Sequence, residues 1–202
     1  PKPVLLALAT CARMVDGSAM LLPTNPEVIR SADSHFPFRP HSSFWYATGF
    51  SEPGAWALLK KDGGFTMFVL PKDPEREVWT GIREGAEGAI ATYGADAAFS
   101  VAELDTQLPK LLAGVDTLYF EFGRHPEVEP QITRLLNGIR SGRKAHLGPQ
   151  AIVDPGPILF DLRLHKAADE LALMRAGAVI TREAHVAAMQ QVRPGMHEYE
   201  VQ

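Results

Sequence analysis

The chain has 202 residues, 46% of them hydrophobic and 22% charged, so it can bury a sizeable core and does not have the composition of a disordered protein. A formal net charge of −4, with lysine and arginine scattered along the chain, argues against a general nucleic-acid binder. No stretch reaches the ~20 apolar residues of a membrane span, and the single Cys11 permits no internal disulfide and fits a reducing compartment. We therefore expect a cytoplasmic protein that does not contact a membrane.

The first elements are predicted to be a helix and a buried strand. Residues 4–12 form a short apolar run without a clear cleavage site after it, which favours an amphipathic helix over a signal peptide. Ser18–Leu22 is apolar, ends at Pro23 and predicts a buried strand. A polar loop rich in proline and serine follows as far as Ser43.

Three closely spaced strands are predicted next, at Phe44–Thr48, Ala55–Lys60 and Phe65–Leu70. Asp62-Gly63-Gly64 separates the last two and indicates a hairpin, because glycine adopts the positive φ that such turns need. The aromatic residues of the first segment alternate as strand residues do. We expect all four of them to pack in the core, namely Phe44, Trp45, Tyr46 and Phe50.

Helices and strands alternate after this point. Asp73–Thr80 predicts a helix with proline in its first turn, ended by Gly81. The next elements are a helix marked by Leu104, Leu108, Leu111 and Leu112, a strand at Thr117–Phe122, and a helix marked by Ile132, Leu135, Leu136 and Ile139. The alternation implies an α/β domain whose helices pack against a mixed sheet.

The sequence changes character after the segment Asp154-Pro155-Gly156-Pro157. We predict one domain at residues 1–156 and a linker and helix at residues 157–202. Asp169–Val192 contains no proline and predicts a single long helix with apolar residues on two sides, which is typical of a buried helix. Each large apolar side chain left in water forgoes roughly 1.5–3 kcal/mol, so we expect partner structure to cover this helix.

Several segments occur in the order found in one family. They are RSADS at residues 30–34, FPFRPHSSFWYATGF at residues 36–50, EVWTGIR at residues 77–83, Arg163-x-x-Lys166-x-x-x-Glu170, and RPGM at residues 193–196 with Glu198. Together they resemble aminopeptidase P, which belongs with prolidase and creatinase to the pita-bread metallopeptidases. Residues 1–16 match this pattern poorly.

The resemblance implies an α/β fold with a mixed six-stranded sheet and flanking helices, followed by the first long helix of a pita-bread catalytic domain. It also implies an aminopeptidase that releases the residue before proline, with two divalent metal ions, manganese, held by five ligands in the catalytic domain. None of those ligand motifs occurs in this sequence. We therefore expect no catalytic residue and no metal site in this chain, and no hydrolysis by the chain alone.

The resemblance further implies the partners. They are a peptide with proline in second place, a catalytic domain in the same polypeptide or a separate chain, and further copies in a dimer or tetramer. Two other functions stay open at this point. One is a portion of a prolidase, and the other is a non-catalytic peptide-binding or scaffold domain of the same fold.

Three residues match family positions that line the substrate cleft from a neighbouring subunit: Asp33, Trp79 and Arg143. Asp33 would meet the substrate ammonium directly or through water, and Trp79 would offer a flat face to the proline ring. Arg143 would meet a substrate carbonyl or stabilise the interface. The alternatives are a turn residue for Asp33, a core residue for Trp79 and a solvated residue for Arg143.

Two further features bear on the site and on the long helix. His35 and His41 flank an aromatic loop, and since nothing near them in the sequence completes a metal site, structural roles are expected. Ala167 stands at the capping position before Glu170, where relatives commonly carry serine or threonine. Losing such a cap costs about 1 kcal/mol.

Overall fold

The computed structural model describes residues 2–141 and 148–201, with side chains from residue 6 onwards. Two compact units are present, Pro1–Asp161 and Leu162–Gln202. The helices are α1 Lys2–Arg13, α2 Ser42–Thr48, α3 Pro74–Thr80, α4 Gly85–Ala91, α5 Leu104–Leu111, α6 Glu129–Ser141, α7 Gly156–Leu164 and α8 Ala168–Gln191. The strands are β1 Ser18–Pro23, β2 Ile29–Ser31, β3 Ser34–His35, β4 Trp56–Lys60, β5 Phe65–Val69, β6 Ala97–Ser100, β7 Thr117–Tyr119 and β8 Ala151–Val153.

A mixed six-stranded sheet organises the first unit, in the order β6-β5-β4-β1-β7-β8. β1 lies inside the sheet, antiparallel to β4 and parallel to β7. In the register of these strands, Met20 of β1 pairs with Leu59 of β4 on one side and with Tyr119 of β7 on the other. The expected six-stranded sheet with flanking helices is confirmed, while β2 and β3 form a separate two-stranded hairpin.

The alternation of side chains along β1 divides the core into two layers. Met20 and Leu22 belong to one cluster, which receives buried residues of α1 and α2. Ala19 and Leu21 belong to the other, which receives buried residues of α5 and α6. Because successive strand residues point to opposite faces, one short strand supplies both layers, and helices cover both faces of the sheet.

The predicted strand at Phe44–Thr48 is wrong, because this segment is helix α2. Residues spaced by three and four, Phe44, Ala47 and Thr48, are buried on one helical face, and Gly49 ends the helix with a φ of 68°. The core expectation holds for Phe44 and Phe50 but not for Trp45, which is 54% exposed. A five-residue aromatic run cannot distinguish strand from helix, and tertiary packing decided the outcome.

The opening helix, the buried strand β1 and the hairpin between β4 and β5 are confirmed, whereas the segment predicted as a loop up to Ser43 contains the hairpin of β2 and β3 and the start of α2. Gly63 in the hairpin turn has a φ of 97°, as the turn requires. α3 begins as predicted, with the Asp73 side chain accepting hydrogen bonds from the N–H groups of Glu75 and Arg76. Strand β7 ends three residues earlier than expected, at Tyr119.

The second unit contains α8, which confirms the predicted long helix. None of its residues is buried, and its exposed apolar side chains include Leu173, Ile180 and Met189. Ala167 offers no capping side chain, but the Glu170 carboxylate accepts a hydrogen bond from the Ala167 N–H at 2.7 Å.

The domain boundary proposed after residue 156 stays a prediction. Among the described residues, no helix has the length and apolar character needed to cross a bilayer.

Cys11 provides a test of the packing of α1 against the sheet. It is 2% exposed in the core, and burial raises the pKa of its thiol from the ordinary 9.0 to about 11. Because only the thiolate reacts, we expect alkylation at mildly alkaline pH to be slower by roughly 100-fold or more in the native chain than in denaturant. Iodoacetamide labelling followed by mass spectrometry measures both rates, and equal rates would contradict the packing of α1.

Candidate functional site

Asp33 lies at the tip of the hairpin formed by β2 and β3. Both strands and the turn between them are exposed. Ala32, just before Asp33, has a positive φ of 45°, which a residue other than glycine adopts at a cost of about 1–2 kcal/mol. Behind the tip, the Arg30 guanidinium lies 5.9 Å from the centre of the Phe36 ring. The hairpin therefore presents the Asp33 carboxylate to solvent.

Trp79 lies near the end of α3 and is 89% exposed. Its neighbours Val78 and Ile82 are 79% and 88% exposed, and no residue of α3 is buried. The alternative that Trp79 is a core residue is therefore excluded for this chain. Three large apolar side chains so close together in water form an apolar surface that is open to a partner or a ligand.

Of the three residues expected to line a substrate cleft, the structure describes two. Asp33 and Trp79 are both exposed, on separate elements of the first compact unit. Arg143 lies outside the described residues. The cleft-lining roles of all three stay predictions.

A cluster of two histidines and one glutamate was not expected from the sequence. His41 immediately precedes α2, Glu121 follows β7, and His125 lies in the turn before α6. The Nε2 atoms of His41 and His125 lie 3.8 and 3.6 Å from Glu121 Oε2. The imidazole rings meet edge to face, with centroids 4.9 Å apart. No residue near His41 in the sequence completes a metal site, but the fold brings two donors from distant segments to it.

The three side chains of the cluster interact electrostatically. The polar contact with the His125 side chain is the main cause that lowers the pKa of the Glu121 carboxyl, burial opposes this effect, and the charge of His41 adds to the lowering. Glu121 and His125 are both buried, and His125 Nδ1 lies 3.8 Å from Glu127 Oε1. The local spacing of Glu121 and His125 was visible in the sequence, but His41 stands 80 positions before Glu121, so no local pattern could reveal the trio.

Glu52 is a second buried carboxylate, in the loop between α2 and β4. Its Oε1 accepts a hydrogen bond from the Glu84 N–H at 2.7 Å, while its buried Oε2 has no hydrogen-bond partner among the described residues. Burial is the main cause that raises the pKa of this carboxyl. The Glu52 carboxylate thus joins this loop to the segment that begins α4.

Comparison with known proteins assigns this chain to a family. A model of "Aminopeptidase P, N-terminal domain" matches residues 8–119. The Xaa-Pro aminopeptidase of Escherichia coli strain K12 is 38% identical over 199 residues, which cover 96% of this chain and 45% of that protein. The Xaa-Pro aminopeptidase of Haemophilus influenzae is 36% identical over 194 residues. The chain therefore spans less than half the length of these relatives.

Solved structures agree with the sequence comparison. The aminopeptidase PepP of Pseudomonas aeruginosa superposes with a TM-score of 0.93 and 38% identity, covering 100% of this chain and 47% of that one. A zinc-substituted E. coli aminopeptidase P in complex with product has a TM-score of 0.94 and 36% identity, covering 99% of this chain and 47% of that one.

Glu52 gives a prediction for stability against pH. Its carboxyl has a higher pKa in the folded chain than in the unfolded chain. Between these two pKa values the folded chain binds more protons, so stability falls as pH rises through this range. Glu52→Gln has no carboxyl at this position, so its stability should lack this part of the decline with pH. The stability of the variant relative to the wild type should therefore increase as pH rises above the ordinary pKa of a carboxyl. Urea unfolding at a series of pH values measures the difference.

The exposed Glu87→Gln in α4 is the matched control, because it removes a carboxyl that is not buried. A Glu52→Gln profile parallel to that of the wild type would contradict the assignment of a costly buried charge to this residue.

Proposed function

Because the chain belongs to the family of aminopeptidase P N-terminal domains, we propose that it is the amino-terminal part of a Xaa-Pro aminopeptidase. In this proposal it supplies cleft and interface residues to a catalytic domain that releases the amino-terminal residue from peptides with proline second. The names of the relatives favour an aminopeptidase over a prolidase.

The exposed apolar segment around Trp79 is the observation that carries this proposal. Val78, Trp79 and Ile82 are each more than three-quarters exposed, although burial of such side chains is worth roughly 1.5–3 kcal/mol each. The indole face suits a proline ring, which is compact, apolar and without an N–H. A surface of this kind is consistent with a wall of a cleft that a second domain or subunit completes.

Asp33 has the complementary chemistry for the other end of the substrate. An exposed carboxylate on a narrow hairpin can approach a free peptide ammonium directly or through a water molecule. Among the described residues, no hydrogen bond or ion pair occupies the Asp33 side chain, so it is available for such a contact. Arg143 keeps its proposed role at a substrate carbonyl or at the interface.

The metal ions of the proposed enzyme belong to the catalytic domain. A pair of divalent ions needs several closely set carboxylates that bridge and ligate. The one donor cluster among the described residues, His41 with Glu121 and His125, has a single carboxylate and does not fit a dinuclear centre. We propose manganese for the pair. The zinc-substituted E. coli relative supports metal dependence in the family.

The assembly and location follow from the same proposal. The cleft residues would reach the site of a neighbouring copy, which requires a dimer or tetramer. The catalytic domain would also cover the apolar sides of α8. The cytoplasmic location expected from the single cysteine stays a prediction.

Trp79→Ala tests the cleft role in the complete polypeptide that includes the catalytic domain. Removing the indole should lower kcat/KM for a Xaa-Pro peptide by roughly tenfold, equivalent to about 1.4 kcal/mol of lost binding. Trp45→Ala is the matched control, because Trp45 is also an exposed tryptophan on a short helix and is not one of the three proposed cleft residues. Equal kinetics for Trp79→Ala and the wild type would contradict the proposal.

Asp33→Asn tests the ammonium contact in the same polypeptide. The substitution keeps the shape of the side chain and removes its charge, so KM for peptides with a free amino terminus should rise by roughly three- to tenfold, which is the net worth of one ordinary hydrogen bond. Steady-state kinetics measure this change, with the exposed Asp105→Asn as control. An unchanged KM would assign Asp33 to the turn alone.

A further inference from the structure

We propose that His41, Glu121 and His125 form a zinc-binding site in the amino-terminal domain. The three side chains come from three different segments of the fold: the loop before α2, the chain after β7 and the turn before α6. This site is additional to the paired metals of the proposed function and does not depend on that function.

The spacing of the donor atoms suits a single small cation. One donor atom from each residue lies within 4.8 Å of the other two, and both histidine Nε2 atoms point to the same carboxylate oxygen. Ligands of a tetrahedral zinc at about 2.1 Å from the metal are about 3.4 Å apart. The two nitrogen–oxygen separations, 3.6 and 3.8 Å, exceed this by only a few tenths of an ångström. Small rotations of the side chains would therefore complete a three-ligand site.

The burial of these side chains favours a bound metal ion over an ion pair of histidine and glutamate at this position. The side chains of Glu121 and His125 are 6% and 4% exposed, whereas that of His41 is 26% exposed. A buried carboxylate between two imidazoles is a costly arrangement unless positive charge compensates it. A divalent cation supplies that charge, and the half-open His41 side provides a path for its entry and a position for a fourth ligand, water.

The surroundings orient the donors. Glu127 Oε1 lies 3.8 Å from His125 Nδ1, so a small rotation would let this carboxylate accept a hydrogen bond from Nδ1–H and leave Nε2 to bind a metal. The backbone of His41 is held by the first turn of α2, since its carbonyl accepts a hydrogen bond from the Trp45 N–H at 2.9 Å. Two ligands of the site are thus positioned before a metal binds.

The donor set selects the metal. Two imidazole nitrogens and one carboxylate oxygen suit Zn²⁺, whereas Mg²⁺, Ca²⁺ and Mn²⁺ prefer sites made of oxygen ligands. The bound ion would fasten the loop before α2 to the end of β7. It would therefore stabilise the folded domain in proportion to its occupancy.

Zinc titration of the untagged 202-residue chain, after chelator treatment, tests the proposal. Isothermal calorimetry should give one equivalent of bound Zn²⁺, and Co²⁺ in its place should give the visible absorption of a four-coordinate ion. His41→Gln and Glu121→Gln should each weaken Zn²⁺ binding by at least tenfold, the effect of losing even an indirect metal partner. His35→Gln, at an exposed histidine in strand β3, is the matched control and should bind as the wild type does.

Thermal unfolding gives an independent measurement. Excess Zn²⁺ should raise the midpoint of the wild type and of His35→Gln, but not that of His41→Gln, and a native-like unfolding midpoint of this variant without metal separates lost binding from misfolding. A folded wild-type chain that takes up no zinc overturns the proposal without any variant. So does zinc binding that His41→Gln and Glu121→Gln leave unchanged.

Discussion

The burial of β1 on both faces is the constraint on which the rest of the first unit depends. All six of its residues are buried, and their alternation supplies side chains to both layers of the core. A register shift of one residue would exchange the two layers, so pairing with β4 and β7 is strongly specified. This pairing positions the functional features. The chain after β1 leads to the Asp33 hairpin, and the end of β7 carries Glu121 to His41.

The surface contrasts with this closely packed interior. Apolar side chains remain in water on α3, where Trp79 lies, and along α8 in the second unit. Isolated exposed apolar residues are ordinary, but runs of them on two helices indicate surfaces that another structure covers. Relatives more than twice as long as this chain agree with that interpretation. These apolar surfaces are the ones that the catalytic domain of the proposed function would cover.

Much of the fold could be predicted from local patterns. An apolar run predicts β1, and paired glycines predict the turn between β4 and β5. A proline in the first turn predicts α3, and a long segment without proline predicts α8. Short elements such as β6 and β8 gave no prediction, because three or four residues hold too little pattern. α2 was assigned as a strand since its aromatic residues favour strands, while burial of Phe44 and Ala47 on one helical face favours a helix. The exposure of Trp79 was suggested only by resemblance, and the His41–Glu121–His125 cluster depends on distant segments that no local spacing reveals.

We expect this chain to contribute side chains to a substrate cleft, while the proposed catalytic domain holds the reactive metal pair. Assaying the 202-residue chain alone for hydrolysis of a Xaa-Pro peptide with added Mn²⁺ distinguishes this arrangement from a metal centre within the chain. The chain alone should release no amino-terminal residue, whereas the polypeptide that includes the catalytic domain should release it. Metal-dependent release by the chain alone would show that the chain holds a reactive metal centre of its own.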